Sequence, residues 1–415
     1  MKDQELPIFL KASPDICVSY VENKNKQFED LPDEVILNVL NFLQLQDLIR
    51  CGLLSKRIRS VSFIDSLWQK IDIVNSGQSR KIVSTDLVKR IINNGCKSLS
   101  LRGCKVIGNL KYSDFNLDLN YWNYQLFEFQ TEHDRILSNY TNSELQKSRS
   151  LSSDYVSKYI KSRYSDLVKQ MGTSKLISLN LTHCNVQQQV MDVLLTACHS
   201  LKNLTLRKGL LTTNMFQILC NQNGQTLQTL DFNGTNGIGI NQYFLPKNIL
   251  LIVKNCVSLK EVDFSGCQLF GESMELLVKN LSPNVEKLAL ASNYTSDEHI
   301  IVLVSRCKRI TSLNLAFTDM LTDNSLTSIV ENLELTLEEL YISCCEGQNI
   351  TFPKFLEMRS MPKLKALNYC TSNFTGNLGA QYTEMPQEVY EELKKTLPQL
   401  NRQKWENHLM KDLLL

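Results

Sequence analysis

Residues 28–73 decide the fold of the N-terminal part of the chain: FEDLPDEVILNVLNFLQLQDLIRCGLLSKRIRSVSFIDSLWQKIDI. Pro32 suits the first position of a helix because its ring already fixes φ near the helical value. The two acidic residues that follow it place negative charge in the first turn, where the helix dipole favours it. Asp47 is suited to cap a second short helix, and Ser55 is suited to open a third. The stretch therefore predicts a small module of three helices.

The apolar face of the first helix is too broad for a module of this size to bury alone. Its members recur at the spacing of an amphipathic helix, and they are Val35, Ile36, Val39, Leu40, Phe42 and Leu43. A segment of about forty-five residues buries too small a share of its surface to cover them all. Another protein, or the rest of this chain, must pack against this face.

The spacing of particular residues in this stretch resembles the F-box, a three-helix module that docks on the small Skp-type adaptor of cullin-RING ubiquitin ligases. The matching positions are Leu31-Pro32, Leu40, Leu43, Asp47-Leu48, Ser55-Lys56 and Leu67-Trp68. Ile58 departs from the pattern, since many members have Trp there. The resemblance implies a set of adaptor-binding residues: Phe28, Leu31, Pro32, Leu40, Asp47, Arg50 and Ile58. The alternative is that the module is only a helical cap on the domain that follows.

Composition excludes several classes of function. The chain has 415 residues, of which 43% are hydrophobic and 21% are charged, with a net charge of +2. No strong field therefore argues for a nucleic acid or an anionic membrane as partner, and no apolar run is long enough to span a bilayer. The 13 cysteines are odd in number and lack paired CxxC spacing, which predicts reduced thiols and a cytoplasmic or nuclear location, or both.

A repeated LxxLxL pattern organises the chain after residue 173. Successive repeats begin mostly about 25–27 residues apart, which is typical of leucine-rich repeats. The eight clear repeats are Leu176-Leu179-Leu181, Leu201-Leu204-Leu206, Leu227-Leu230-Phe232, Leu259-Val262-Phe264, Val285-Leu288-Leu290, Ile310-Leu313-Leu315, Leu337-Leu340-Ile342 and Leu364-Leu367-Tyr369. We predict an α/β fold in which the helical module precedes a horseshoe solenoid, with parallel strands inside and helices outside.

These patterns divide the chain into six segments. They are a flexible N-terminal tail (1–27), the helical module with its linker (28–73), the first repeat or repeats (74–105), an insertion (106–172), the regular repeats (173–376) and a terminal cap with a tail (377–415). The insertion is polar and Ser-rich in its middle, which predicts partial disorder, and it carries an amphipathic helix near 155–171. The insertion is either a docking or phosphorylation surface or a loop packed on the side of the solenoid.

The cysteines follow the register of the repeats. Cys184, Cys267 and Cys344 come just after a strand, and Cys198, Cys256 and Cys307 precede the next one. Small thiols suit the tight interior of a repeat, so we interpret them as structural. No nucleotide-binding or nucleophile motif occurs, and the five histidines are dispersed. We therefore expect no catalytic residue, no cofactor and no metal site, and a chain that is not an enzyme.

Side chains alternate along a strand. The residues that alternate with the leucines of each LxxLxL strand are therefore expected to face solvent and to bind a partner. Binding energy concentrates in aromatic and arginine side chains, so Tyr341 and Arg207 are the strongest candidates. The full candidate set for substrate binding is Arg207, Asp231, Glu261, Asp263, Lys287, Asn314 and Tyr341.

The order of the F-box, the LWQKID junction and cysteine-type repeats resembles the S-phase kinase-associated F-box protein family of SCF substrate receptors. The resemblance implies partners: the Skp-type adaptor, a cullin-RING scaffold and a protein substrate, with an accessory substrate-binding subunit as an open question. The insertion has no counterpart in that family. Two other functions stay open: a ligase-independent scaffold that binds proteins through its repeats and, more remotely, a small-molecule sensor.

Overall fold

A computed structural model of the chain describes residues 28–43, 45–74, 82–107, 174–186, 188–211, 213–237, 244–318, 320–346, 350–374 and 380–402. The chain divides into two compact units, Met1–Ile71 and Asp72–Leu415. The predicted N-terminal tail, nearly all of the insertion with its helix near 155–171, and the tail beyond residue 402 lie outside the described residues.

The first unit contains a single turn of 3₁₀ helix at Phe28–Asp30, followed by four helices. They are α1 (Asp33–Leu40), α2 (Leu45–Cys51), α3 (Lys56–Ser62) and α4 (Asp65–Trp68). The Oγ atom of Ser55 accepts a hydrogen bond from the Ile58 amide at 3.2 Å, as expected of the residue that opens α3. Asp47 is a correction to the sequence analysis, because it lies inside the first turn of α2 instead of capping it.

Trp68 anchors the interior of this unit. Its side chain is 1% exposed, its Nε1 donates to the carbonyl of Ser62 at 2.7 Å, and its ring stacks on Phe63 at 5.4 Å. The interior of the unit is formed by buried side chains from all four helices: Ile36, Leu40, Leu48, Ile58, Val61, Leu67 and Trp68.

The second unit repeats a strand, a corner and a helix. β1 (Lys70–Asp72) spans the division between the units. The later strands are β2 (Ile82–Ser84), β3 (Ser98–Ser100), β4 (Lys105–Ile107), β5 (Ser178–Asn180), β6 (Asn185–Val186), β7 (Asn203–Thr205), β8 (Leu210–Leu211), β9 (Thr229–Asp231), β10 (Asn236–Gly237), β11 (Glu261–Asp263), β12 (Lys287–Ala289), β13 (Ser312–Asn314), β14 (Glu339–Glu346), β15 (Ala366–Phe374), β16 (Ala380–Glu384) and β17 (Asn401–Arg402).

The helices of the second unit alternate with these strands. They are α5 (Thr85–Asn93), α6 (Gln188–Ala197), α7 (Thr213–Asn223), α8 (Pro246–Asn255), α9 (Gly271–Asn280), α10 (Asp297–Arg306), α11 (Asp323–Leu333), α12 (Phe352–Phe355) and α13 (Gln387–Thr396), with a 3₁₀ segment at Leu356–Ser360. This alternation of parallel strands and helices confirms the predicted solenoid of leucine-rich repeats.

The main sheet of this unit is parallel and follows the order β3, β5, β7, β9, β11, β12, β13, β14 and β15. In most of its three-residue strands the middle side chain is buried and the two flanking side chains are partly exposed. The middle residues are the central leucines of the LxxLxL pattern, such as Leu204, Leu230 and Leu313, each 0% exposed. The flanking residues form what we call the strand face.

The strands on either side of the predicted insertion are direct neighbours. β3 pairs with β5 in parallel, with Leu99 opposite Leu179, and the Ile177 amide donates to the Lys97 carbonyl at 2.8 Å. The repeat register therefore continues across this segment, although the boundaries of the insertion stay a prediction.

The corner that follows each strand has a left-handed residue at the same register position. Seven successive corners share it, and the residues are Gly103, His183, Lys208, Gly234, Gly266, Ser292 and Phe317. A positive φ is favoured by glycine, while a bulky residue meets steric resistance there. The sequence analysis did not predict this feature, because only three of the seven are glycine.

The C-terminal end of the sheet departs from the simple repeat. β14 and β15 are longer than the other strands, and β16 returns antiparallel to β15. α13 follows, and the Tyr390 hydroxyl donates to the carbonyl of Leu400 at 3.0 Å. β17 then pairs with β15 in parallel.

Candidate functional site

The surface of the helical module is the first candidate site. α1 buries Ile36 and Leu40 on one side, which leaves Val35 and Val39 exposed by 41% and 43% on another. Further apolar side chains at the helix ends add to this exposed surface. The full set is Phe28, Val35, Val39, Phe42, Leu53, Leu54 and Ile64, with Leu53 79% and Leu54 70% exposed.

The structure separates the seven predicted adaptor-binding residues into two groups. Phe28, Pro32 and Arg50 are exposed, and Leu31 and Asp47 are partly exposed, so their role in binding stays a prediction. Leu40 and Ile58 are 2% and 1% exposed.

This burial corrects the assignment of Leu40 and Ile58 as adaptor-binding residues, because both side chains pack in the interior of the module. The physical reason is the amphipathic spacing of short helices, where one stripe must face the neighbouring helices. The exposed residues Leu53 and Leu54 were not among the predicted site residues. Their position in the short link between α2 and α3, outside any helix, is the signal that could have found them.

Charged side chains also hold the module together at its surface. Asp47 and Arg50 form an exposed ion pair at 2.9 Å within α2. Arg57 donates to the carboxylate of Asp33 at 2.9 Å and to the carbonyl of Leu31 at 2.8 Å, which ties the start of α1 to α3. Exposed pairs of this kind stabilise only weakly.

The strand face is the second candidate site, and three of its predicted residues meet there. Arg207 Nε donates to Asp231 at 2.6 Å, and its guanidinium lies 3.9 Å from a carboxylate oxygen of Asp263. Asn233 Nδ2 donates to the same Asp263 oxygen at 3.2 Å. Burial raises the pKa of Asp231, the Asp263 carboxylate raises it further, and Arg207 opposes both effects. One guanidinium thus serves two carboxylates.

Asp231, Asp263 and Asn314 also have a structural role that the sequence analysis did not predict. Each sits at the end of its strand, and its side-chain oxygen accepts a hydrogen bond from the backbone amide two residues on, at 3.1, 2.8 and 3.0 Å respectively. Such turns satisfy a backbone donor at the corner. Asn180 makes the same bond with Thr182 at 2.9 Å.

The remaining predicted residues pair along the first positions of neighbouring strands. Lys287 lies 2.8 Å from Glu261, and the hydrogen bond and charge of Glu261 raise the pKa of Lys287. Ser312 donates to Glu339 at 2.9 Å. Burial raises the pKa of Tyr341, and the nearby Glu339 raises it further. The strand face is therefore polar and internally paired in its middle, and Tyr341 is partly exposed.

Cys51 lies in α2 and is partly exposed, while the cysteines of the repeats whose burial is described are buried, apart from the partly exposed Cys184. Several cysteines of the repeats donate to the backbone. Cys267 Sγ donates to the Phe232 carbonyl at 3.2 Å, and Asn293 Nδ2 donates to the Phe264 carbonyl at 2.9 Å, at the same position of the next repeat. Cys104, Cys184 and Thr235 donate in the same way to the preceding repeat. The side chain at this position therefore links five of the repeats to the one before it.

Burial makes these thiols poor nucleophiles. It raises the pKa of Cys198 to about 12 and that of Cys307 to about 11, and the pKa of the fully buried Cys267 is raised as well. The thiolate is the reactive form. Within the described residues no group of three or more His, Cys, Asp or Glu side chains could hold a metal ion. No helix in the same part of the chain is long and apolar enough to cross a membrane.

The comparison with protein families identifies the helical module. Residues 28–74 match the family model described as F-box-like. These residues form an F-box-like domain. Proteins with an F-box are generally non-catalytic adaptors, and the domain implies binding to a Skp-type adaptor in general.

Among solved structures, the chain is similar over part of its length to the leucine-rich repeat-containing protein LegL7 from Legionella pneumophila. The two share 14% sequence identity with a TM-score of 0.34, and the match covers 57% of this chain and 78% of that one. The F-box-like domain and the repeats together support a role as an F-box substrate receptor in general.

Proposed function

We propose that this protein is the substrate-recognition subunit of an SCF-type (cullin-RING) E3 ubiquitin ligase, in which the F-box-like domain holds the Skp-type adaptor and the repeats hold a protein substrate. The observation that carries the proposal is the set of exposed apolar side chains of the F-box-like domain, in which Leu53 and Leu54 are 79% and 70% exposed. Large apolar side chains exposed together on a small module are typical of an interaction site.

The geometry of the repeats supports the second half of the proposal. The strand face offers partly exposed polar side chains from successive parallel strands, and solenoids use such extended surfaces to bind proteins. The chemistry then requires no catalytic side chain in this chain, because a receptor accelerates ubiquitin transfer by raising the local concentration of substrate near the charged E2. The closer relation to the S-phase kinase-associated family, the cullin partner and a cytoplasmic or nuclear location are parts of the same proposal.

Co-purification with a Skp-type adaptor tests the proposal. We expect the full chain to form a stoichiometric complex with the adaptor. Replacing the exposed pair, Leu53→Ser with Leu54→Ser, should weaken adaptor binding by about a hundredfold, equivalent to about 2.7 kcal/mol, because both side chains would lose apolar contact in the interface.

A matched control separates this interface from general loss of apolar surface. Leu335 lies in the repeats and is 66% exposed, so Leu335→Ser should bind the adaptor like the wild type. Full adaptor binding by the Leu53→Ser/Leu54→Ser variant would contradict the assigned surface. Absence of any complex with the wild-type chain would favour a ligase-independent scaffold instead.

A further inference from the structure

Three apolar side chains lie exposed at equivalent corners of three successive repeats, between the strand and the helix. They are Phe270, Tyr294 and Met320, exposed by 46%, 64% and 60%. The rings of Phe270 and Tyr294 meet edge to face with their centroids 6.4 Å apart. Met320 continues the row, since it forms a parallel bridge with Ser296 on the neighbouring corner.

An acidic residue follows each of these side chains in the first turn of the next helix. Glu272 and Glu298 are the second residues of α9 and α10, and Asp323 is the first residue of α11. A hydrogen bond with Ser296 lowers the pKa of the exposed Glu298. We call the three apolar and three acidic residues together the acidic apolar edge.

The segments that form this edge contain no lysine or arginine. Residues 261–278, 288–305 and 310–353 lack both residue types. The nearest lysines in the neighbouring helices are Lys247 in the first turn of α8 and Lys354 in α12, and Lys354 already pairs with Glu357 at 2.6 Å. The edge itself therefore combines apolar side chains with carboxylates.

We propose that the acidic apolar edge binds an extended segment of the protein substrate in which arginine or lysine alternates with large apolar residues. The inference rests on the proposed function and adds to it the chemistry of the substrate. Apolar side chains of the segment would pack on Phe270, Tyr294 and Met320, while its cations would pair with the carboxylates or lie over the Tyr294 ring. Phosphate-rich partners are disfavoured because the same carboxylates repel them.

The dimensions set the length of the recognised segment. Neighbouring strands lie about 4.8 Å apart, so three corners span about 10 Å. An extended chain covers this distance with about three or four residues. A short linear motif is therefore sufficient, and the motif must contain both a basic and an apolar residue.

The test uses the full chain in complex with the Skp-type adaptor. The probe is a labelled synthetic peptide of about ten residues in which arginine and leucine alternate, so that it is long enough to span the three corners. One control peptide has glutamate in place of arginine, and another has serine in place of leucine. We expect only the arginine–leucine peptide to bind. The Tyr294→Ala/Met320→Ala variant and the Glu272→Gln/Glu298→Gln variant should each weaken its binding by at least about tenfold.

Leu335→Ala is the matched control, since Leu335 is as exposed as Met320 but lies outside the edge. Equal binding of the glutamate peptide, no binding of the arginine–leucine peptide, or full binding by both double variants would overturn the proposal. Binding that appears only after removal of residues 403–415 would also overturn it, by making that segment the occupant of the edge. In each case retained adaptor binding would leave the proposed function standing, because the two readouts are separate.

Discussion

The F-box-like domain and the repeat unit bury apolar surface in different ways. Seven of the sixteen large hydrophobic side chains that are exposed in the described residues lie between Phe28 and Ile64, and the other nine are spread over the repeats. The repeats bury theirs against the preceding and following repeat, and buried side chains such as Cys267 and Asn293 satisfy the backbone between them.

This difference between the two units predicts whether a substitution changes binding or folding. In the F-box-like domain, exposed apolar residues should affect binding and buried ones should affect folding. In the repeats, buried strand and corner residues hold one repeat to the next, and exposed side chains of the strand face and of the acidic apolar edge remain available for a partner. The predictions below test this division.

The largest effect on stability is expected inside the F-box-like domain. Trp68→Ala removes a side chain that is 1% exposed, together with the hydrogen bond from its Nε1 to the Ser62 carbonyl. A buried aromatic truncation costs about 3–5 kcal/mol. Hydrogen exchange over residues 28–71 should rise accordingly. Leu53→Ala is the control: Leu53 is 79% exposed, so exchange should stay near that of the wild type, and a comparable rise would remove the distinction between the two surfaces.

A smaller but still large effect is expected where two repeats are joined by a buried carboxylate. Asp297 is 9% exposed and accepts hydrogen bonds from the Thr322 amide at 2.8 Å and from the hydroxyls of Thr322 and Ser325. Asp297→Asn replaces one acceptor oxygen by a donor, which leaves hydroxyl partners unsatisfied. Unfolding in denaturant should show a loss of about 2–4 kcal/mol.

The pH dependence of this effect follows from the ionisation of Asp297. Burial favours the neutral form, but the hydrogen bonds from Ser325 and Thr322 outweigh it and lower the pKa of Asp297 below its ordinary value of 3.8. The carboxylate therefore contributes its full stability above pH 3.8 and loses it as the pH falls through the lowered pKa. The difference between wild type and Asp297→Asn should shrink in that range. A difference that is constant from neutral to acidic pH would show that the charge has no part in it.

A moderate effect is expected at the thiols that link successive repeats. Cys267→Ala removes the buried sulfur and its hydrogen bond to the Phe232 carbonyl. It should cost about 1–2 kcal/mol, because the carbonyl keeps only the hydrogen bond from the Thr235 amide. Cys267→Thr should recover part of this, since Thr235 makes the equivalent bond in the preceding repeat. Thermal unfolding under reducing conditions measures both variants, and equal melting temperatures for the two would mean that restoring the donor contributes nothing at this site.

The repeats were predictable from the sequence because each LxxLxL leucine has one possible environment, the solenoid interior. The helices at 188–197, 213–223 and 297–306 follow for the same reason. The left-handed corners at His183, Lys208, Ser292 and Phe317 were not predictable, since backbone pairing between neighbouring repeats overrides the usual preference for glycine.

The candidate sites were predictable only in part. The spacing of Arg207, Asp231 and Asp263 placed them on one face, but it did not show that one guanidinium serves both carboxylates. The apolar row at Phe270, Tyr294 and Met320 escaped the sequence analysis because these residues lie in corners, outside the strand pattern. The lack of lysine and arginine over residues 310–353 is the signal that could have directed attention to it.

The smallest effect is expected at Lys287 on the strand face. Its ammonium group lies 2.8 Å from Glu261, but the side chains are 57% and 42% exposed, so solvent screens the pair. Although the hydrogen bond with Glu261 raises the pKa of Lys287, an exposed pair contributes at most about 1 kcal/mol. Lys287→Ala should lower the free energy of unfolding by no more than that, and 1 M salt should reduce the difference, because the Debye length then falls to about 3 Å, close to the separation of the pair. Arg207→Ala is the comparison, since the side chains of Arg207 and Asp231 are only 34% and 14% exposed, and its cost should exceed that of Lys287→Ala. If the two costs are equal, burial does not decide which strand-face residues hold the repeats together. If Lys287→Ala is nearly silent as expected, Lys287 and Glu261 can separate at little cost and are free to rearrange around a bound segment.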